Sequence, residues 1–192
     1  MFLSFLPILL FVKTPLRLPK KGLKYILGSS VLNILFMLFA YLGVKYSTAG
    51  SGGVIITILS PLFTFLFSLL ILRHVQTSLQ YFGLVLGLIG GVIMLDLPNI
   101  DLALIFKSAE FYFVLAAATW AAITLLSQKS HLHINPIHYS FFISMFSMLI
   151  LFVLTVGYDI SIVFEQDRRF WLSLLYLGIF GQSVATTIFF IA

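Results

Sequence analysis

The stretch from Lys45 to Leu72 reads KYSTAGSGGVIITILSPLFTFLFSLLIL. Small residues crowd its start, a Ser-Pro pair interrupts its middle, and no residue after Lys45 carries a charge. Gly50, Gly52, Gly53 and Pro61 are poor helix residues in water. Yet the run is long enough to cross a bilayer, which takes about 20 apolar residues. Inside lipid the penalty on Gly and Pro relaxes, because neighbouring helices satisfy the backbone groups they free. The stretch therefore reads as a membrane-spanning helix.

The rest of the chain is of the same kind. Of 192 residues, 61% are hydrophobic and only 9% charged, with a mean hydropathy of +1.14. A soluble domain of this size could not keep so much apolar surface from water. The apolar runs are continuous rather than alternating, which points to helices and away from a membrane barrel. Cysteine is absent, so disulfides, thiolate catalysis and Cys-based zinc sites are excluded.

The expected fold is an all-α integral membrane protein with six full spans, at residues 24–44, 48–72, 79–97, 108–128, 137–158 and 170–192. Ahead of them MFLSFLPILLFV (1–12) is an apolar stub, too short to cross alone and without the basic start of a signal peptide. It resembles the tail of a span whose beginning is missing, and TTIFFIA at the other end stops within an apolar run.

Charge alternates along the loops. Lys13, Arg17, Lys20, Lys21, Lys24, Arg73 and Lys129, with His74, His131, His133 and His138, fall on one set and meet no acid. The other set holds Lys45, Lys107, Arg168 and Arg169 together with all six acids, Asp96, Asp101, Glu110, Asp159, Glu165 and Asp167. By the positive-inside rule the first set faces the cytoplasm. The net charge of +5 is thus a topology signal and does not call for nucleic acid as a partner.

GSGG at 50–53 and the series Gly83, Gly87, Gly91 are spaced for close helix packing, the second along one helix face. The alternative for the first is a substrate path that bulk would obstruct. Ser60-Pro61 is expected to kink its helix near the middle, a feature common where a transporter helix meets a cavity.

Order makes these motifs specific. KYSTAGSGGVIITILSPLFTFLFSLLILRH followed by SLQYFGLVLGLIGGVIML resembles the EamA-type helices of the drug/metabolite transporter superfamily. AEFYFVLAAATWAAITLLSQK, with Trp120-Ala121, resembles the helix that opens the second half of that family, and WLSLLYLGIFGQSVATTIFF the helix two further on. The resemblance implies a small-molecule permease with ten spans in two inverted five-helix halves. Residues 1–97 would supply most of the first repeat and 108–192 the first three helices of the second. It also implies that the chain is truncated at both ends and incomplete or inactive alone, since the first, ninth and tenth helices help to build the family's cavity. Arg73-His74 replaces the Gly-Glu-Arg-like turn common there.

An internal repeat points the same way. Aligning NILFMLFAYLG (33–43) with QSVATTIFFIA (182–192) sets Asn33 opposite Gln182, and Leu27-Gly28 matches Leu177-Gly178 after a one-residue shift. Substrate sites of repeat-built transporters lie near the midplane at the repeat interface.

No Asp, Glu, Lys, Arg or His sits in the middle of any expected span. Such a residue would be the natural proton relay, so recognition must rest on amides, hydroxyls, aromatics and backbone. Asn33, Trp120, Thr124 and Gln182 are the candidate substrate-binding residues, with interhelical hydrogen bonding or packing as the alternative role. No cofactor is expected. HLHINPIH (131–138) invites a metal reading, but alternate His share a side only in an extended segment, and a solvated loop is the simpler account.

The expected function is a partial metabolite or amino-acid-like permease of the bacterial inner membrane, not an enzyme. Two rivals stand beside it. One is a membrane assembly subunit completed by a complementary chain or by a second copy of itself; the other is an integral-membrane metal enzyme using the histidines.

Overall fold

The computed structural model describes residues 20–72, 77–94, 109–157, 161–185 and 188. Every element among them is helical. In order, α1 spans Lys20–Tyr46, α2 Ala49–Phe67 with a π-helical extension Ser68–Leu72, and α3 Ser78–Met94. Then come α4 Glu110–Ser130, α5 Pro136–Thr155, α6 Ser161–Phe164, and α7 Arg168–Tyr176, which continues into a π-helical segment Leu177–Val184.

Among the described residues four helices are long and apolar enough to cross a membrane: Gly22–Tyr46, Ala49–Ile71, Glu110–Ser130 and Pro136–Thr155. They coincide with the first, second, fourth and fifth expected spans. The third is a helix of 17 residues. The sixth begins as α7, changes to the π-helical segment, and then leaves the described residues. The N-terminal stub lies outside them altogether.

Local chemistry sets the boundaries. Only Ser47 and Thr48 separate α1 from α2, so these two helices run antiparallel. Thr48 caps α2 by accepting from the Ser51 N–H at 3.2 Å. Asn135 caps α5 through the Ile137 N–H at 2.9 Å, with Pro136 at the first helical position, where its missing N–H costs nothing. Asp167 caps α7 through the Phe170 N–H at 2.9 Å. Gly157 follows α5 at φ +96°, a left-handed conformation that disfavours any side chain.

The chain divides into two compact units, one of residues 31–126 and the other of residues 1–30 with 127–192. In the first, Phe113 of α4 is the wedge. Its ring lies where a Cβ on Gly43 of α1 or on Gly52 of α2 would fall under 3.0 Å away. Both glycines are buried, so they let two backbones close on one aromatic ring. Above the wedge, Ser47 donates to Glu110 Oε1 at 2.6 Å, and the Tyr46 and Tyr112 rings stack at 6.5 Å.

The glycines of GSGG thus divide. Gly52 is there for packing, whereas a Cβ added at Gly50 or Gly53 would meet nothing within 4 Å. A Cβ at Gly83 or Gly87 would also meet nothing within 4 Å, so that face is open among the described residues; the Gly91 side lies outside them. Four-residue spacing permits close approach but does not supply the neighbour. Where α3 meets α2, the contact is aromatic, Phe65 against Tyr81 at 5.1 Å. Gly87→Leu and Gly90→Leu should therefore shift the detergent melting temperature of this chain equally little; a selective loss for Gly87→Leu would show that the face is covered.

Candidate functional site

Asn33, Trp120 and Thr124 all belong to the unit of residues 31–126. Counting along the helices from the Phe113 wedge places them in depth. Asn33 is ten residues before Gly43 on α1, and Trp120 is seven after Phe113 on α4. At about 1.5 Å per residue both lie roughly 10–15 Å from the wedge along their axes. The Phe36 and Trp120 rings, 5.0 Å apart, confirm that α1 and α4 are level there. Each residue is also close to the centre of its span, Gly22–Tyr46 or Glu110–Ser130.

Asn33 is 5% exposed, and it has a partner within the protein. A buried amide in an apolar helix requires such partners, because each lost one costs about 1–3 kcal/mol. Trp120 is half-buried, and its ring lies beside that of Phe36 in a tilted pair. Thr124 returns its hydroxyl to the Trp120 carbonyl at 3.1 Å. That bond leaves the oxygen lone pairs as the part able to meet a solute. Gln182 lies on the π-helical segment Leu177–Val184, a geometry frequent at functional sites; its side chain is outside the described residues.

The Ser60-Pro61 pair sits midway along α2. The helix continues through it, with Pro61 removing one N–H from the ladder. Ser60 is 8% exposed, and its hydroxyl has no hydrogen-bond partner among the described residues.

A second polar cluster, in the unit of residues 1–30 and 127–192, escaped the reading of the sequence. Ser29 Oγ and Tyr139 Oη are 2.6 Å apart, and Ser130 also bonds the phenol. Ser30 donates to the Ile143 carbonyl at 3.4 Å, and Ser147 donates to the Ser30 carbonyl at 3.3 Å. All five side chains are buried. The legible signal was the series Ser140, Ser144, Ser147 on one face of α5, beside the Gly28-Ser29-Ser30 run of α1. Small hydroxylated residues let helices approach and then tie them by hydrogen bonds.

The histidines of HLHINPIH go separate ways. His131 Nε2 is 3.2 Å from Ser127 Oγ, His133 stacks on Tyr25 at 6.1 Å, and His138 is buried. No group of three His, Cys, Asp or Glu side chains able to hold a metal occurs among the described residues.

Span-length apolar helices, one of them carrying a Ser-Pro pair at its middle, are features of a multi-pass membrane protein. The family model that matches this chain, the EamA-like transporter family, covers residues 1–95 and 107–192. The chain belongs to the EamA-like transporter family. No curated protein and no solved structure matches it. As an EamA-like chain it is a multi-pass membrane protein of transporter type, and its two matched segments fall on either side of residues 96–106.

Proposed function

We propose that the chain forms part of the pathway of an EamA-type permease for a small metabolite or amino-acid-like solute, with Asn33, Trp120 and Thr124 contacting the solute. The observation that carries this reading is the mid-depth polar layer in a transporter-family chain: Asn33 buried at 5% exposure, level with the Phe36–Trp120 pair. The layer holds amide, indole and hydroxyl groups and no formal charge, which suits an uncharged or zwitterionic solute held by hydrogen bonds. Residues 1–97 and 108–192 act as portions of two inverted repeats, in a bacterial inner membrane.

Transport draws on ten helices in the pattern that the motifs imply, and these 192 residues offer six hydrophobic runs. The chain reconstituted alone in liposomes is therefore expected to give no saturable uptake of labelled amino acids, and to gain it with a complementary multi-span chain. Saturable uptake by the chain alone, abolished by Asn33→Ala, would overturn the need for a partner while supporting the site. Uptake unaffected by Asn33→Ala and Trp120→Ala would remove the site.

The basic loops face the cytoplasm in this reading, and cysteine labelling in intact cells tests it. Ser130, beside the histidine loop, is fully buried and would stay silent on either side. Leu132 is 84% exposed and is the proper reporter. An impermeant maleimide should modify Ser161→Cys and spare Leu132→Cys, with no background because the chain has no cysteine. The reverse pattern would invert the topology.

A further inference from the structure

Ser60 breaks a rule that its neighbours keep. A hydroxyl in a helix normally returns its proton to a carbonyl one turn back, which satisfies it locally at little cost. Thr57 does so to Gly53, Thr64 to Ser60 at 2.7 Å, Thr119 to Ala116 at 2.8 Å and Thr124 to Trp120 at 3.1 Å. The Ser60 hydroxyl is more deeply buried than any of these and makes no hydrogen bond among the described residues. An unmade hydrogen bond in such a place costs about 1–3 kcal/mol.

A second polar group is freed on the same turn. Pro61 has no N–H, so the Thr57 carbonyl loses the donor that a regular helix would give it. Thr57 and Ser60 are three residues apart and therefore neighbours on the helix surface. One buried donor and one released acceptor thus lie side by side at the centre of Ala49–Ile71. Ser60 is eight residues beyond Gly52, about 12 Å from the Phe113 wedge along the axis. It shares the depth of Asn33 and Trp120 in the same unit.

We propose that Ser60 Oγ and the Thr57 carbonyl form a hydrogen-bonding station for an uncharged polar group of the translocated solute, a carboxamide or hydroxyl that accepts from Ser60 and donates to Thr57. No side chain of formal charge lies within a turn of Ser60 on α2, so an ionic group would arrive without a counter-charge and its desolvation would go unrelieved. This assignment rests on the permease reading, but its test involves no transport.

The first arm is stability. Ser60→Ala removes a donor that has no partner, so the detergent melting temperature should stay the same or rise. A fall would mean that the hydroxyl is already engaged, and would overturn the proposal. The second arm is reactivity of Ser60→Cys in the full chain, against Leu66→Cys as an exposed apolar-helix control and Leu132→Cys as a loop control.

Thiol alkylation proceeds through the thiolate, which does not form in an apolar setting. Iodoacetamide, itself a small carboxamide, should alkylate Ser60→Cys about tenfold faster than Leu66→Cys. Normalised to Leu132→Cys, it should outpace anionic iodoacetate, and excess acetamide should slow it at Ser60→Cys alone. Equal inertness at residues 60 and 66 would overturn the station. Labelling without either the charge preference or the acetamide protection would reduce it to a water pocket, and also overturns the proposal. Failure here with Asn33-dependent uptake intact would sink the Ser60 assignment and leave the permease reading standing.

Discussion

Gly52→Val should destabilise the chain by about 1–3 kcal/mol, the usual cost of forcing extra methyl groups into a closed contact. Gly53→Val, one position along the same helix, should cost far less. Adding a Cβ at Gly52 brings it under 3.0 Å from the Phe113 ring, whereas at Gly53 it meets nothing within 4 Å. Gly43→Val should resemble Gly52→Val, since the same ring blocks it. Thermal unfolding in detergent measures the difference, and a double-mutant cycle isolates its cause. Phe113→Ala opens the space, so Gly52→Val should be nearly harmless in that background. If Gly52→Val costs the same with and without the ring, the wedge is not what limits the size of residue 52.

Tyr139→Phe is the other change expected to register strongly, again at about 1–3 kcal/mol, because it strands a buried partner. Ser29 is fully buried, and its hydroxyl pairs with the Tyr139 phenol at 2.6 Å. Ser130 also bonds that phenol and is fully buried itself. Ser130 keeps its own bond to the Ser127 carbonyl at 2.8 Å, so the loss falls mainly on Ser29. Adding Ser29→Ala to Tyr139→Phe should return part of the loss, since removing both ends of a buried pair costs less than removing one. A melting temperature unmoved by Tyr139→Phe would show that Ser29 finds another partner. An additive double variant would show that the two residues are energetically separate.

Both variants probe contacts between distant residues, whereas much of the fold was legible locally. The apolar runs at 24–44, 48–72, 108–128 and 137–158 matched span-length helices because bilayer thickness sets a length that hydropathy alone can meet. Ser47-Thr48, Asn135-Pro136 and Asp167 are local capping signals, and each begins a helix as its chemistry requires. The mid-span position of Asn33 and Trp120 was equally visible, since depth in a membrane helix is a matter of counting. Even the family was legible, because it lies in the order of motifs along the chain.

Contacts between helices were a different matter. GSGG and Gly83-Gly87-Gly91 look alike on paper, yet Gly52 receives an aromatic ring and Gly87 receives nothing among the described residues. Glycine spacing states where a backbone is able to come close; which neighbour comes depends on residues far along the chain, such as Phe113. The Ser29–Tyr139 tie joins residues 110 apart, a pairing that no local periodicity encodes. Ser60 carries the same lesson in reverse. The sequence marked it only as half of a helix-disturbing pair, and tertiary packing decided that its hydroxyl would be enclosed without a partner among the described residues. Hydropathy and capping act within a few residues, so the sequence by itself determined that four of its apolar runs form span-length helices. Ring insertion, hydroxyl pairing and enclosure depend on how helices meet, and those only the tertiary structure decided.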